Sequence, residues 1–389
     1  MTRALAIVDG EHYVSVVRDA LAALPYDVVG ALLIGGTEKL RGGEDYGVPL
    51  VETLDALAAD LVVDLSDEPV LGPRARMRLA SRALALGLPY VGADFRFDPP
   101  RFVPYVLPSL SVIGTGKRVG KTAVTGAIAR RLARERKVVV VAMGRGGPPA
   151  PELIERPPTL DDLLALSRSG RHAASDHLET AALVGVPTIG CRRAGGGLAG
   201  QVFESNVVAG AELARSLDPH VVVFDGSGAA IPPVATTARI LVVGAEHDLD
   251  DYLNPYRVLI SDLIVRVGGG AAPTIKNVPV VDVELRLRPL EPLRGRRTAV
   301  FTTGAAPVDR LDAEVVHVSR GLADRAALRD ELARIDADVF LVELKAAAID
   351  VVAETAAARG VALVLAENEV IAPGLDYALA RLLPAEVPA

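Results

Sequence analysis

The 389 residues carry a net charge of −7, half are hydrophobic and only 4% are aromatic, so two or three domains with ample aliphatic cores are expected. The acidic balance excludes broad nucleic-acid binding, and no apolar run reaches membrane-span length. Cys191 is the sole cysteine, which excludes an intrachain disulfide or a cysteine-built zinc site. With no signal-peptide pattern at the N-terminus, the expected location is cytoplasmic, away from any membrane.

The first hundred residues predict strands at Ala4–Val8, Val28–Ile34, Leu61–Leu65 and Leu88–Val91, with helical patterns such as Val14–Leu24 between them. Alternation of this kind implies a parallel sheet with right-handed crossovers. Small or acidic residues close each strand, among them Asp9-Gly10-Glu11-His12. Ligands bind at such carboxyl edges, so Asp9, Glu11 and His12 are candidate substrate contacts. A Pro-rich stretch from Asp98 to Pro108 reads as a linker.

An apolar run, Leu107–Ile113, then leads into Gly114-Thr115-Gly116-Lys117-Arg118-Val119-Gly120-Lys121-Thr122 and on through Ala123 into an amphipathic helix. Strand, glycine loop, Gly-Lys-Thr and helix form the context of a phosphate-binding P-loop. Backbone N–H groups and the helix start would cradle phosphates. Lys121 would reach the β- and γ-phosphates, and the Thr122 hydroxyl would hold Mg²⁺. Lys117 and Arg118 are extra cations that can face the transferring phosphoryl group.

Further strands are expected at Lys137–Ala142, Pro187–Gly190, Val221–Phe224, Ile240–Val243 and Asp262–Val267, then Ala299–Thr302, Val339–Val342 and Val361–Leu365. Asp225 ends an apolar strand ahead of Gly226-Ser227-Gly228, as a Mg²⁺-binding acid would. Arg145 follows the Lys137–Ala142 strand in a Gly-rich turn. Arg192 and Arg193 precede Gly195, Gly196 and Gly197; guanidinium forks beside glycine N–H groups make an anion cradle. Lys345 follows a strong strand and is a candidate catalytic cation. Asp176 and Glu179 fit helix-borne acids equally well and receive no role. The fold expected is α/β: a Rossmann-like parallel-sheet domain over 1–106, then a larger P-loop NTPase α/β domain over 107–389 with a C-terminal α/β section from about 296.

Two resemblances follow from these motifs. The P-loop and Asp225-Gly-Ser-Gly are similar to those of the dethiobiotin synthetase group, with Asp in place of the more usual Glu. Over the whole chain, Val8-Asp9-Gly10-Glu11-His12-Tyr13, the P-loop, Ala142–Pro148, Ile189–Arg193 with its glycines, and Glu343-Leu344-Lys345-Ala346-Ala347 resemble the cyclic 2,3-diphosphoglycerate synthetase family. That resemblance implies ATP-dependent closure of 2,3-bisphosphoglycerate into a cyclic pyrophosphate, with Mg²⁺ required and K⁺ as a second cation. The cations in the glycine loops suit an acceptor bearing several phosphates. Rival readings are a carboxylate ligase of dethiobiotin synthetase type, which needs fewer cations, and a P-loop nucleotide switch, for which no Asn-Lys-x-Asp guanine reader is present. A homodimer is the default assembly for a large cytosolic enzyme.

Overall fold

The computed structural model describes residues 1–36, 38–68, 70–169, 176–270, 272–302, 307–322, 324–343 and 349–383. Lys345 lies outside them.

Five parallel strands open the chain, in spatial order Leu50–Val51, Asp27–Leu33, Arg3–Val8, Leu61–Asp64 and Tyr90–Val91, with Arg96–Phe97 antiparallel at one edge. Successive side chains of the central strand serve opposite faces. Ala4, Ala6 and Val8 pack with Val17 and Leu21 of helix Val14–Ala23, while Leu5 and Ile7 pack with Ala80, Ala83 and Leu84 of helix Pro73–Ala85. Such two-sided burial explains the near-continuous apolar runs of this sheet.

Helix Pro73–Ala85 also docks on the short helix Asn254–Leu259 of the next unit. Leu5 and Ile7 therefore share one apolar cluster with Ile113, Leu241, Tyr256 and Ile264. Ion pairs rim the contact: Arg74 with Asp248 at 2.8 Å, and Arg78 with Asp250.

The second sheet places the P-loop strand Ser109–Gly114 between Val221–Asp225 and Ala238–Gly244, all parallel. Val138–Gly144 and Thr188–Ala194 extend it on one side, Leu263–Val267 on the other. Every residue of Ser109–Gly114 and of Val221–Asp225 is buried. Parallel strands deliver their carboxyl ends to a common edge, so the P-loop, Asp225, Arg145 and Arg193 all emerge there.

Strand Val280–Pro289 joins the two remaining parts. Its first residues run parallel to Leu263–Val267, and Glu284–Pro289 pair antiparallel with Ala366–Ile371. The pairing continues through Val339–Glu343 to Arg297–Phe301 and Glu314–Ser319. The C-terminal section thus extends the P-loop sheet instead of forming a sheet of its own. Arg130, on the P-loop helix Lys121–Leu132, pairs with Glu367 at 2.7 Å, which pins the ribbon along that helix.

Most expected strands are present within a residue or two at their ends. Two run longer: Thr188–Ala194 continues through both arginines, and Ala362–Ile371 continues six residues past Leu365. Parallel pairing of Cys191 and Arg192 with Met143 and Gly144, then antiparallel pairing with Glu204–Ser205, carries Thr188–Ala194 past Gly190, where the expected strand ends.

Candidate active site

Two backbone positions shape the P-loop. Gly120 has φ +87°, and Arg118 has φ +61°, the left-handed region that glycine enters freely and arginine does not. Helix Lys121–Leu132 starts directly after Gly120, so its N-terminal N–H groups face the loop. Lys121 is buried and folds back over the loop, its Nζ 3.4 Å from the Gly116 carbonyl. Lys117 and Arg118 are exposed at the tip; Thr115, Val119 and Thr122 are buried, and Ala123 is half-buried.

Thr122 lies in the first turn of the P-loop helix, and Asp225 ends the strand that pairs with Ser109–Gly114; both are buried. The Asp225 carboxylate is 1% exposed and its Oδ1 accepts a 2.9 Å bond from the Thr125 hydroxyl. Gly226, next in the chain, donates from its N–H to the Val112 carbonyl at 2.8 Å, holding the turn against the P-loop strand. A buried carboxylate that the Thr125 hydroxyl holds against the P-loop helix has the chemistry a hard cation calls for.

The same turn reaches the arginines two residues later. Arg193 donates to the Ser227 carbonyl at 2.8 Å and to the Gly195 carbonyl at 2.8 Å. A Cβ on Gly228 would lie 2.6 Å from Arg145 Nη2 and 3.5 Å from Arg193 Nη2, so both guanidinium groups converge on this glycine. Together with Gly195, Gly196 and Gly197 they line a cavity of about 430 Å³. Arg193 Nε is buried there without a hydrogen-bond partner among the described residues. Burial first, and then the Arg145 charge, push the Arg193 guanidinium pKa down, against the pull of Asp176. Two cations held together and an orphan donor make a receptor for an anion.

Arg192 is not brought to this cavity with its neighbour. On a strand, adjacent side chains alternate between faces. Its backbone N–H donates to Asn206 Oδ1 at 2.7 Å and its side chain is exposed. Asp9, Glu11 and His12 stand at the carboxyl edge of the N-terminal sheet. Asp9 is fully buried and accepts from Glu11 N–H at 3.0 Å and Asp67 N–H at 2.8 Å, with His12 Nδ1 at 2.8 Å. Burial is the largest influence and raises its pKa. The hydrogen bonds together outweigh it and hold the carboxyl below the ordinary value.

Family models for the N-terminal, P-loop and C-terminal domains of cyclic 2,3-diphosphoglycerate synthetase match residues 3–98, 109–284 and 289–369. The chain is 47% identical to the cyclic 2,3-diphosphoglycerate synthetase of Rubrobacter xylanophilus, with 98% of this chain and 97% of the relative covered. The chain belongs to the cyclic 2,3-diphosphoglycerate synthetase family. A synthetase of the same name from Thermococcus kodakarensis is 41% identical, with 94% of each chain covered. Among solved structures, LpxK from Aquifex aeolicus in complex with ATP is similar over 73% of this chain and 91% of its own, with a TM-score of 0.47 at 14% identity.

Three residues around this candidate site stand outside the sequence motifs. Thr125 lies one helical turn after Lys121, facing inward. His247 follows strand Ala238–Gly244 and meets Thr115 Oγ1 at 3.1 Å through Nδ1. Gly116 leaves it room, because a Cβ there would stand 2.5 Å from His247 Cε1. Arg257 lies beneath the arginine cavity.

Proposed function

We propose that this chain closes 2,3-bisphosphoglycerate into its cyclic pyrophosphate at the expense of ATP, releasing ADP and inorganic phosphate. The carrying observation is the single turn Asp225–Gly228: its first residue meets the P-loop helix, and its last receives Arg145 and Arg193. ATP and a phosphorylated acceptor can then be held on either side of one short segment. The acceptor phosphate oxygen attacks the γ-phosphorus and ADP leaves. The neighbouring phosphate then attacks the inner phosphorus of the new diphosphate, and inorganic phosphate departs as the ring closes.

Charge is the main obstacle. Two unit charges 4 Å apart repel by about 4 kcal/mol at an effective dielectric constant near 20. Three crowded phosphoryl groups need several fixed cations before they can approach. Lys121 serves the nucleotide, Arg145 and Arg193 the acceptor, and exposed Lys117 and Arg118 can swing over the transferring group. Thr122 and Asp225 would hold Mg²⁺, which when bound neutralises charge on the nucleotide phosphates. Asp9, Glu11, His12 and Lys345 join the proposal as groups that reach the acceptor on closure; Arg192, on the opposite face of its strand from Arg193, does not. K⁺, a homodimeric assembly and a cytoplasmic location complete it.

An acceptor panel followed by ADP release tests this reading. Turnover with 2,3-bisphosphoglycerate, and none with non-phosphorylated carboxylates, is the expected result. Equal turnover with a simple carboxylate would refute it.

A further inference from the structure

The arginine cavity rests on a third guanidinium that does not line it. Arg257 is 2% exposed on helix Asn254–Leu259. Its Nε and Nη2 donate to the Ala229 carbonyl at 3.1 and 2.7 Å, and its Nη1 donates to the Leu198 and Leu253 carbonyls at 3.0 and 3.2 Å. Asn254 Oδ1 stands 3.5 Å from the same nitrogen. No carboxylate meets the group among the described residues. Leu198 follows Gly197, and Ala229 follows Gly228, so Arg257 grips both loops that line the cavity.

A buried charge without a counter-acid is costly, and an apolar side chain of similar volume would pack at lower cost. Its hydrogen bonds give it a different use. Carbonyl oxygens repel phosphate. Two loop carbonyls turned onto a buried guanidinium are kept from the anion, and its charge adds to the field of Arg145 and Arg193. Burial lowers its pKa to about 10, which leaves it charged at neutral pH.

We propose that Arg257 is a positioning residue for the acceptor phosphate: it sets the Leu198 and Ala229 loops so that the cavity presents cations and withholds carbonyls. This rests on the reading that the cavity takes a phosphate of the acceptor. Because the same short helix carries the N-terminal unit, docking of that unit and the shape of the cavity share one support.

The test titrates 2,3-bisphosphoglycerate into the ADP-saturated full chain by calorimetry, for the parent, Arg257→Lys, Arg257→Gln and Arg193→Gln. Lysine keeps the charge but cannot span the separate carbonyls. Both Arg257 variants should bind about tenfold more weakly or worse, with the KM for ATP within about twofold of the parent. Parent-like acceptor binding in either folded Arg257 variant, beside weakened Arg193→Gln, overturns the positioning role and leaves the cavity reading intact. Unchanged binding in Arg193→Gln overturns the cavity reading itself. Failure of both Arg257 variants to fold assigns the residue to stability and overturns the proposal.

Discussion

Thr125 Oγ1 stands 2.9 Å from Asp225 Oδ1, and this contact ties the P-loop helix to the strand that carries the acid. Removing it leaves the carboxylate in place with a donor fewer and its orientation less fixed. A hydrogen bond to a buried carboxylate is worth about 1–3 kcal/mol. Thr125→Val should lower turnover roughly tenfold and raise the Mg²⁺ concentration needed for half-maximal rate. Asp225→Asn should lower kcat by about a hundredfold or more. A Mg²⁺ titration of ADP release checks both; an unaltered half-saturation point in Thr125→Val argues against metal binding by Asp225.

Gly116 and His247 should be coupled. A methyl group at 116 meets the imidazole at 2.5 Å, so Gly116→Ala must displace either the ring or the loop. The KM for ATP is expected to rise about tenfold or more in this variant. His247→Ala clears the space, so the double variant should recover part of the loss. A double-mutant cycle on the KM for ATP measures this, and strictly additive losses would show that the ring is not what constrains Gly116.

Gly228→Ala attacks the acceptor side. Its φ of +62° disfavours any side chain, and the added Cβ meets Arg145 Nη2 at 2.6 Å. The left-handed conformation costs alanine about 1–2 kcal/mol, while the arginine tip can swing aside. The expected phenotype is a raised KM for 2,3-bisphosphoglycerate with the KM for ATP little changed. A rise confined to ATP would place the acceptor elsewhere.

Contiguous chemistry was the legible part of this site. Gly114–Thr122 announces itself because every group that cradles phosphate is local, and Asp225 because it ends an apolar run. Thr115 and His247 are 132 positions apart, and no sequence spacing links them. Arg257 sits in a short helix with no acidic residue three or four positions away on either side. Thr125 had a weak signal: it falls four residues after Lys121, a polar side chain on the inward face of a helix. The same contrast holds for the fold. Buried parallel strands stand out as apolar runs, whereas Val281–Arg288 alternates apolar and polar residues and belongs to the ribbon that joins the C-terminal section. Arg192 and Arg193 look equivalent as a pair, but extension of their strand sends them to opposite faces.

Cys191 gives a prediction about pH. Burial pushes its thiol pKa up to about 12, above the ordinary thiol value. The folded state therefore keeps a proton that the unfolded state releases as pH rises. Stability from this group is fully present below the unfolded pKa and is lost as pH climbs towards 12, with a limiting slope of about 1.4 kcal/mol per pH unit. Comparing unfolding free energies of the parent and Cys191→Ala between pH 8 and 10.5 isolates the effect from the tyrosines, on the order of one limiting slope or more. A difference between the two proteins that stays constant over that range would contradict it. Near neutral pH the thiol should resist alkylation in the folded chain.

Phosphorus NMR of a mixture of this protein, ATP, Mg²⁺ and 2,3-bisphosphoglycerate tests the central claim most directly. Loss of both monoester signals, with growth of an intramolecular pyrophosphate signal and one ADP and one inorganic phosphate per ring, is the predicted result. Folded protein that leaves the monoester signals unchanged, or that hydrolyses ATP without forming the ring, would contradict it.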